Sequence, residues 1–95
     1  MPLRFRSSRT PTGKPELIAI GECGWQDFPS RAQAVVEHFG MTVTQKVDGL
    51  DQRLWIARRG DSQFCISWDI WFPEVSVMAW KDTSDAEVER LLTEA

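Results

Sequence analysis

Residues 41–80 decide the fold, and they have the sequence MTVTQKVDGLDQRLWIARRGDSQFCISWDIWFPEVSVMAW. β-Branched and aromatic residues alternate with polar residues in this stretch, and such a pattern favours strands. The alternation predicts four strands, at residues 42–47, 53–59, 62–68 and 75–80. Because strands joined by short connections pair as hairpins, the four strands are expected to form an antiparallel meander.

The connections between these strands carry residues that favour turns. Asp48-Gly49 follows the first strand, and Gly60-Asp61 lies between the second and the third. Glycine adopts a positive φ without steric cost, as the first central position of a type II′ turn requires. Gly60-Asp61 therefore predicts a two-residue hairpin turn. The third connection, residues 69–74, has the sequence DIWFPE and is predicted to be a loop.

Elements on both sides of the meander complete the domain. Residues 16–22 are short and apolar and predict a further strand. A helix ending at Gly40 follows, because apolar residues recur there on one helix face: Phe28, Ala32, Val35, Val36 and Phe39. A second helix is predicted at residues 84–94, where Ser84 and Glu87 form a capping-box pattern. The order β-α-β-β-β-β-α predicts a single α+β domain with both helices on one face of the sheet.

Residues 1–15, MPLRFRSSRTPTGKP, differ in composition from the rest of the chain. They carry four basic residues and no acidic one, with three prolines and no apolar period. Such a segment buries too little surface to offset its ordering entropy, so we expect a flexible basic arm before a domain at residues 16–95. No apolar segment typical of a secretory signal or a membrane span follows it. The sequence thus predicts a cytoplasmic protein that does not enter a membrane.

Charge makes nucleic acid an unfavourable partner. Residues 16–95 contain seven basic and fourteen acidic residues, a net charge of −7. Proteins bind nucleic acid phosphates mainly through Lys and Arg, so a net acidic body opposes this binding.

The two cysteines, Cys23 and Cys65, are expected to be reduced and buried, although sequence spacing alone leaves a disulfide between them open.

Period-two alternation assigns the strand residues to two faces. The predicted core face carries Leu54, Ile56, Phe64, Ile66, Trp68, Val75, Val77 and Ala79. The opposite face has Trp55, Arg59, Met78 and Trp80, and it is more apolar than a solvated sheet face needs to be. Together with Trp71 in the 69–74 loop, these residues form the predicted partner-binding surface, to which Arg59 adds a cation for stacking or anion contact.

Motifs for catalysis or metal binding are not recognisable. Cys23 precedes the first predicted helix, whereas His38, the only histidine, is near the far end of that helix. At 1.5 Å per residue, about 16 Å of helix axis separates His38 from the start of the helix. A nucleophile and its base must be in hydrogen-bond contact, so this pair is not expected to act together. Asp69, Glu74 and Asp82 match no calcium-loop spacing. We predict no catalytic residue, metal site or cofactor.

The sequence therefore predicts a small non-enzymatic binding module whose aromatic sheet face binds a protein or peptide partner. Two alternatives stay open. One is a small-molecule binding or catalytic domain with a cleft between the first helix and the Trp71 loop. The other is a homodimer in which the aromatic face is a structural interface.

Overall fold

The chain forms six strands and two helices, which the computed structural model describes for residues 3–95. The strands are β1 (Phe5–Arg9), β2 (Pro15–Ala19), β3 (Thr42–Asp48), β4 (Gln52–Arg59), β5 (Ser62–Asp69) and β6 (Phe72–Ala79). The helices are α1 (Phe28–Phe39), which a short 3₁₀ turn precedes, and α2 (Asp85–Glu94). All strands are antiparallel neighbours in one sheet of order β1-β2-β6-β5-β4-β3. The α+β class is confirmed.

Strands β3 to β6 form the predicted meander. Arg59 pairs with Ser62 across the Gly60-Asp61 turn, and Gly60 has a φ of 61°. The next hairpin is tighter than predicted, because Asp69 pairs with Phe72 and only two residues connect β5 to β6. The predicted 69–74 loop is thus mostly strand, with an irregular register where β6 begins.

The first strand of the sheet was not predicted. Within the segment expected to be a flexible arm, Phe5–Arg9 pair with β2, so the sheet has six strands instead of five. A turn follows, in which the amide of Thr10 donates to the carbonyl oxygen of Lys14 at 2.9 Å. Phe5 anchors the strand to α1, since its ring centroid lies 5.2 Å from that of Phe39. Residues 1 and 2 of the predicted arm lie outside the described residues.

Both helices pack on the same face of the sheet. α1 buries its five predicted apolar residues, and α2 buries Val88 and Leu91 against the same core. Gly40 ends α1 in the left-handed conformation with a φ of 66°, and the Ser84 side chain caps α2 by accepting a hydrogen bond from an amide of its first turn. Within residues 3–95, neither helix has the length and apolar character needed to cross a membrane.

The helix-covered face of the sheet differs from the prediction in one strand. Trp55 pairs with Ile66 and Ala57 pairs with Phe64. Residues paired across antiparallel strands project from the same face, so Trp55 and Ala57 lie in the core with their partners. The prediction that β4 buries Leu54 and Ile56 against the helices is wrong. The predicted core residues of β5 and β6 do line or pack against the core.

We call the other side of the sheet the open face. The core cluster that includes residues of both helices does not contain its apolar members. Ile18 and Ile56, on β2 and β4, are nevertheless buried. The strand pairings and the alternation assign these residues to the centre of the open face: Ile18, Leu54, Ile56, Cys65, Ser67, Ser76, Met78 and Trp80.

Candidate functional site

The five residues predicted to form one binding surface lie in three different places, and the first place is the core. Trp55 is only 3% exposed. Its ring packs edge-on against Phe28 with centroids 5.7 Å apart, and the Lys46 ammonium lies 4.2 Å from the ring centre. The prediction that Trp55 belongs to an aromatic face opposite the core is wrong, because the register of β4 on β5 directs it to the helices.

Arg59 lies on the same side of β4 as Trp55 and is engaged with α2. Its guanidinium donates a hydrogen bond of 2.8 Å to Glu94 Oε2. This hydrogen bond raises the pKa of Arg59 and lowers the pKa of Glu94. Arg59 therefore links the end of β4 to the last turn of α2, on the opposite side of the sheet from Trp80.

Met78 and Trp80 do share the open face, as the alternation predicted. Met78 pairs with Cys65 on β5, and the Trp80 amide donates to the carbonyl oxygen of Gln63 at 3.0 Å. Both side chains are half-buried. The predicted aromatic face therefore keeps one tryptophan, Trp80, where the sequence pattern gave it two.

Trp71 lies in the third place, at the tip of the β5–β6 hairpin, among other exposed apolar residues. Trp71 and Phe72 are 78% and 79% exposed, Ile70 is 55% exposed, and Leu50 is fully exposed at 102%. Leu50 belongs to the β3–β4 connection, and the Ile70 amide donates to the carbonyl oxygen of Asp51 in that connection at 3.0 Å. We call Leu50, Ile70, Trp71 and Phe72 the apolar tip.

The sequence pattern predicts Trp71 as a surface residue but not its three neighbours Leu50, Ile70 and Phe72. Three consecutive apolar residues, Ile70-Trp71-Phe72, stand where a turn was predicted, and turns normally expose their central residues. Leu50 likewise stands between Gly49 and Asp51 in a predicted turn. An apolar residue in a predicted turn was therefore the available signal.

Acidic groups surround the apolar tip. Asp51 is exposed, and Asp69 Oδ1 accepts a hydrogen bond of 2.7 Å from the Trp71 amide, which holds the turn. Asp48 forms an ion pair of 2.8 Å with Arg53. Arg53 in turn lies over the ring of Trp25 at 4.7 Å, and this partly exposed tryptophan packs edge-on against Trp68. The tip thus projects from a well-packed end of the sheet and carries negative charge beside its apolar side chains.

The two cysteines and the histidine do not form a nucleophilic site. Cys23 and Cys65 are both free thiols. Cys23 Sγ interacts with the carbonyl oxygen of Gly24, whereas His38 packs between the rings of Phe5 and Phe39. Burial raises the pKa of Cys23; the charge of Arg31 lowers it by a smaller amount, and the charge of Asp27 raises it further. Burial raises the pKa of Cys65 to about 11.

The carboxylates near the hairpin serve structural contacts. Glu74 accepts a hydrogen bond of 2.9 Å from the Gly21 amide and forms an ion pair of 2.8 Å with Arg6. These contacts lower the pKa of Glu74, with the Gly21 hydrogen bond as the largest cause. Within the part of the chain that the structure describes, no three His, Cys, Asp or Glu side chains are grouped as metal ligands would be.

Two surface clefts lie away from the Trp71 hairpin. The first, of about 450 Å³, runs between α2 and strands β1 and β2, with Leu17, Val88 and Leu92 among its lining residues. The second is a shallow depression beside Trp55, between α1 and β3. Neither corresponds to the cleft between α1 and the Trp71 loop that the small-molecule alternative requires.

The chain matches no protein-family model, no curated protein and no solved structure.

Proposed function

We propose that this chain is a small binding module that contacts a protein partner through the apolar tip. The observation that carries the proposal is the exposure of Trp71 and Phe72, at 78% and 79%, beside the fully exposed Leu50. Burying one large apolar side chain contributes roughly 1.5–3 kcal/mol. Tryptophan is also among the residues most often responsible for binding free energy at protein interfaces. A patch of this kind is therefore suited to a partner surface.

The backbone at the tip supports the proposal because it is held by hydrogen bonds. The Trp71 amide is bonded to Asp69, and the Ile70 amide is bonded to Asp51 on the neighbouring connection. Association costs less free energy when the contacting loop is already ordered in its bound conformation. Trp71 is thus presented on a short, two-residue turn between paired strands.

Charge indicates which chemistry the partner offers. Asp51 and Asp69 lie beside the apolar tip, and the whole chain, whose basic N-terminal segment contributes β1 to the sheet, has a net charge of −3. An anionic lipid surface or a nucleic acid would be repelled by this end of the domain. We therefore expect a protein partner with an apolar pocket or groove whose rim carries Lys or Arg, which would also accelerate association at low salt.

The test compares three forms of the full chain as bait in an extract of the source cell. These are the wild type, the double variant Trp71→Ala/Phe72→Ala, and Leu92→Ala, a matched control because Leu92 is also an exposed apolar residue but lies on α2. We expect a protein retained by wild type and control and lost by the tip variant. Circular dichroism and urea unfolding verify that the tip variant folds.

The retained protein is then purified, and its affinity for each form is measured by calorimetry. We expect binding at least tenfold weaker for the tip variant and weaker for the wild type as salt rises. The proposal fails if no protein distinguishes the wild type from the tip variant in the extract. It also fails if the purified partner binds both forms equally.

A further inference from the structure

The open face carries an apolar row near its centre, next to Ser67 and Ser76, whose hydroxyls hydrogen-bond to each other at 2.8 Å. Ile56, Cys65 and Met78 form one row across three strands, because Ile56 pairs with Cys65 and Cys65 pairs with Met78. Leu54 lies in the neighbouring row, and Trp80 directly follows Ala79, the last residue of β6. Such a surface on an antiparallel sheet is commonly covered by another layer. In sheet-on-sheet packing the two layers lie face to face, about 10 Å apart.

Two opposite charges flank this apolar centre on either side. Glu16 lies on β2, two residues before Ile18. Because side chains alternate along a strand, Glu16 shares the open face with Ile18. Arg58 lies on β4 and shares the open face with Ile56. Within residues 3–95, neither side chain takes part in an ion pair. Glu16 therefore lies on the strand next to β6, and Arg58 lies on the strand next to β5.

We propose that the open face is the interface between two copies of this chain. β6 and β5 are the two central strands of the six. A two-fold axis that runs along the strands between them would stack β5 of one copy on β6 of the other. The same rotation stacks β4 on β2, so that Arg58 of one copy faces Glu16 of its mate twice, by symmetry. Cys65 and Met78 lie next to the axis, in the dry centre of the interface.

Self-association fits this face because a two-fold interface requires a surface complementary to itself. β2 and β4, the two strands that the axis exchanges, carry opposite charges on the open face. The positions beside the axis are Cys65 and Met78 together with Ser67 and Ser76, whose hydroxyls hydrogen-bond to each other at 2.8 Å. Glu16 and Arg58 are offset by two residues along the strands, about 7 Å at the usual rise, which their long side chains can span. The apolar tip lies at the end of the strands and not at this centre, so the inference is independent of the proposed function.

Sedimentation equilibrium of the full chain at low ionic strength tests the inference. We expect a reversible monomer–dimer equilibrium in the wild type. Arg58→Glu and Glu16→Arg each place like charges opposite one another, so each is expected to weaken dimerisation at least tenfold. The double variant exchanges the two charges and restores their attraction, so its dissociation constant is expected to return to within about threefold of wild type. Glu89→Arg is the control, because it changes the net charge as Glu16→Arg does but lies on α2.

Each outcome decides the inference. A wild type that remains monomeric at all accessible concentrations overturns it, and leaves another partner or solvent as the neighbour of the open face. A dimer that responds equally to Glu89→Arg and Glu16→Arg overturns it, since the effect then follows net charge alone. A dimer weakened by both single changes but not restored in the double variant also overturns the arrangement. Circular dichroism of every variant verifies the fold.

Discussion

The indole N–H of Trp68 donates a hydrogen bond of 2.6 Å to the carbonyl oxygen of Cys23. Trp68 lies on β5, whereas Cys23 belongs to the connection between β2 and α1. Both residues are buried, at 5% and 4% exposure. The bond therefore ties an irregular segment to the centre of the sheet, and it satisfies a backbone carbonyl that would otherwise be buried without a partner.

Replacing Trp68 is expected to destabilise the domain. Trp68→Phe keeps an aromatic ring but leaves the Cys23 carbonyl unpaired, so the free energy of unfolding should fall by about 1–3 kcal/mol. Urea denaturation followed by circular dichroism measures the change. Trp71→Phe is the matched control at an exposed site, where a change within about 0.5 kcal/mol is expected. Equal effects of the two substitutions would contradict the structural role of the Trp68 bond.

Tryptophan fluorescence should report the apolar tip. Trp55 and Trp68 are nearly inaccessible, whereas Trp71 is 78% exposed. Acrylamide quenching of the wild type is therefore expected to contain a readily quenched component that Trp71→Phe reduces to the smaller contribution of Trp25, which is 37% exposed. A Trp80→Phe variant should retain this component, since Trp80 is half-buried on the open face. If Trp71→Phe leaves the quenched fraction unchanged, the indole of Trp71 is covered in solution.

The face of β4 shows how far sequence alone could predict the site. In the stretch LWIA, the alternating pairs Leu54 with Ile56 and Trp55 with Ala57 are both apolar, so periodicity cannot choose between them. The turn could have chosen. A two-residue turn at Gly60-Asp61 requires Arg59 to pair with Ser62, and this register carries Trp55 onto Ile66. Turn length, and not side-chain polarity, contained the information about which tryptophan is buried.

Strand β1 could not be predicted for a different reason. Phe5–Arg9 has the sequence FRSSR, which has a single apolar residue and no alternation of an amphipathic strand. An edge strand is stabilised by backbone pairing on one side and by a few distant contacts. Here those contacts are Phe5 on α1 and Arg6 on Glu74, which is 68 residues away along the chain. Neither contact can be predicted from the local composition, so by composition the segment resembles a flexible arm.

Glu74 should make the stability of the domain depend on acid pH. Its pKa is lowered below the ordinary value of 4.5, chiefly by the Gly21 amide and further by Arg6. A carboxyl group whose pKa is lower in the folded state stabilises that state above its ordinary pKa. This contribution is lost as the pH falls through the folded-state pKa. Glu74 thus favours folding at neutral pH and ceases to do so in acid.

Glu74→Gln is expected to lower the free energy of unfolding at pH 7. The difference from wild type should shrink as the pH falls below 4.5, because the carboxyl is protonated first in the unfolded state and, below its lowered folded-state pKa, in both states. Urea denaturation from pH 7 to pH 3 measures this. Arg6→Gln removes the ion pair but keeps the Gly21 bond, so it should reproduce only part of the pH dependence. A Glu74→Gln difference that is constant with pH would contradict the Gly21 contact.

Cys65 should be almost unreactive in the folded protein. Burial raises its pKa to about 11, so at pH 8 roughly one molecule in a thousand carries the reactive thiolate. We expect iodoacetamide to modify Cys65 at least about a hundredfold more slowly than an exposed cysteine, and the rate to keep rising with pH above 9. Cys23, buried in the core, should also be protected, whereas both thiols should react in urea. Mass spectrometry of the wild type and of Cys65→Ser assigns each adduct. Rapid modification of Cys65 at pH 8 would mean that the centre of the open face is accessible to water and is not the dry interface of a dimer.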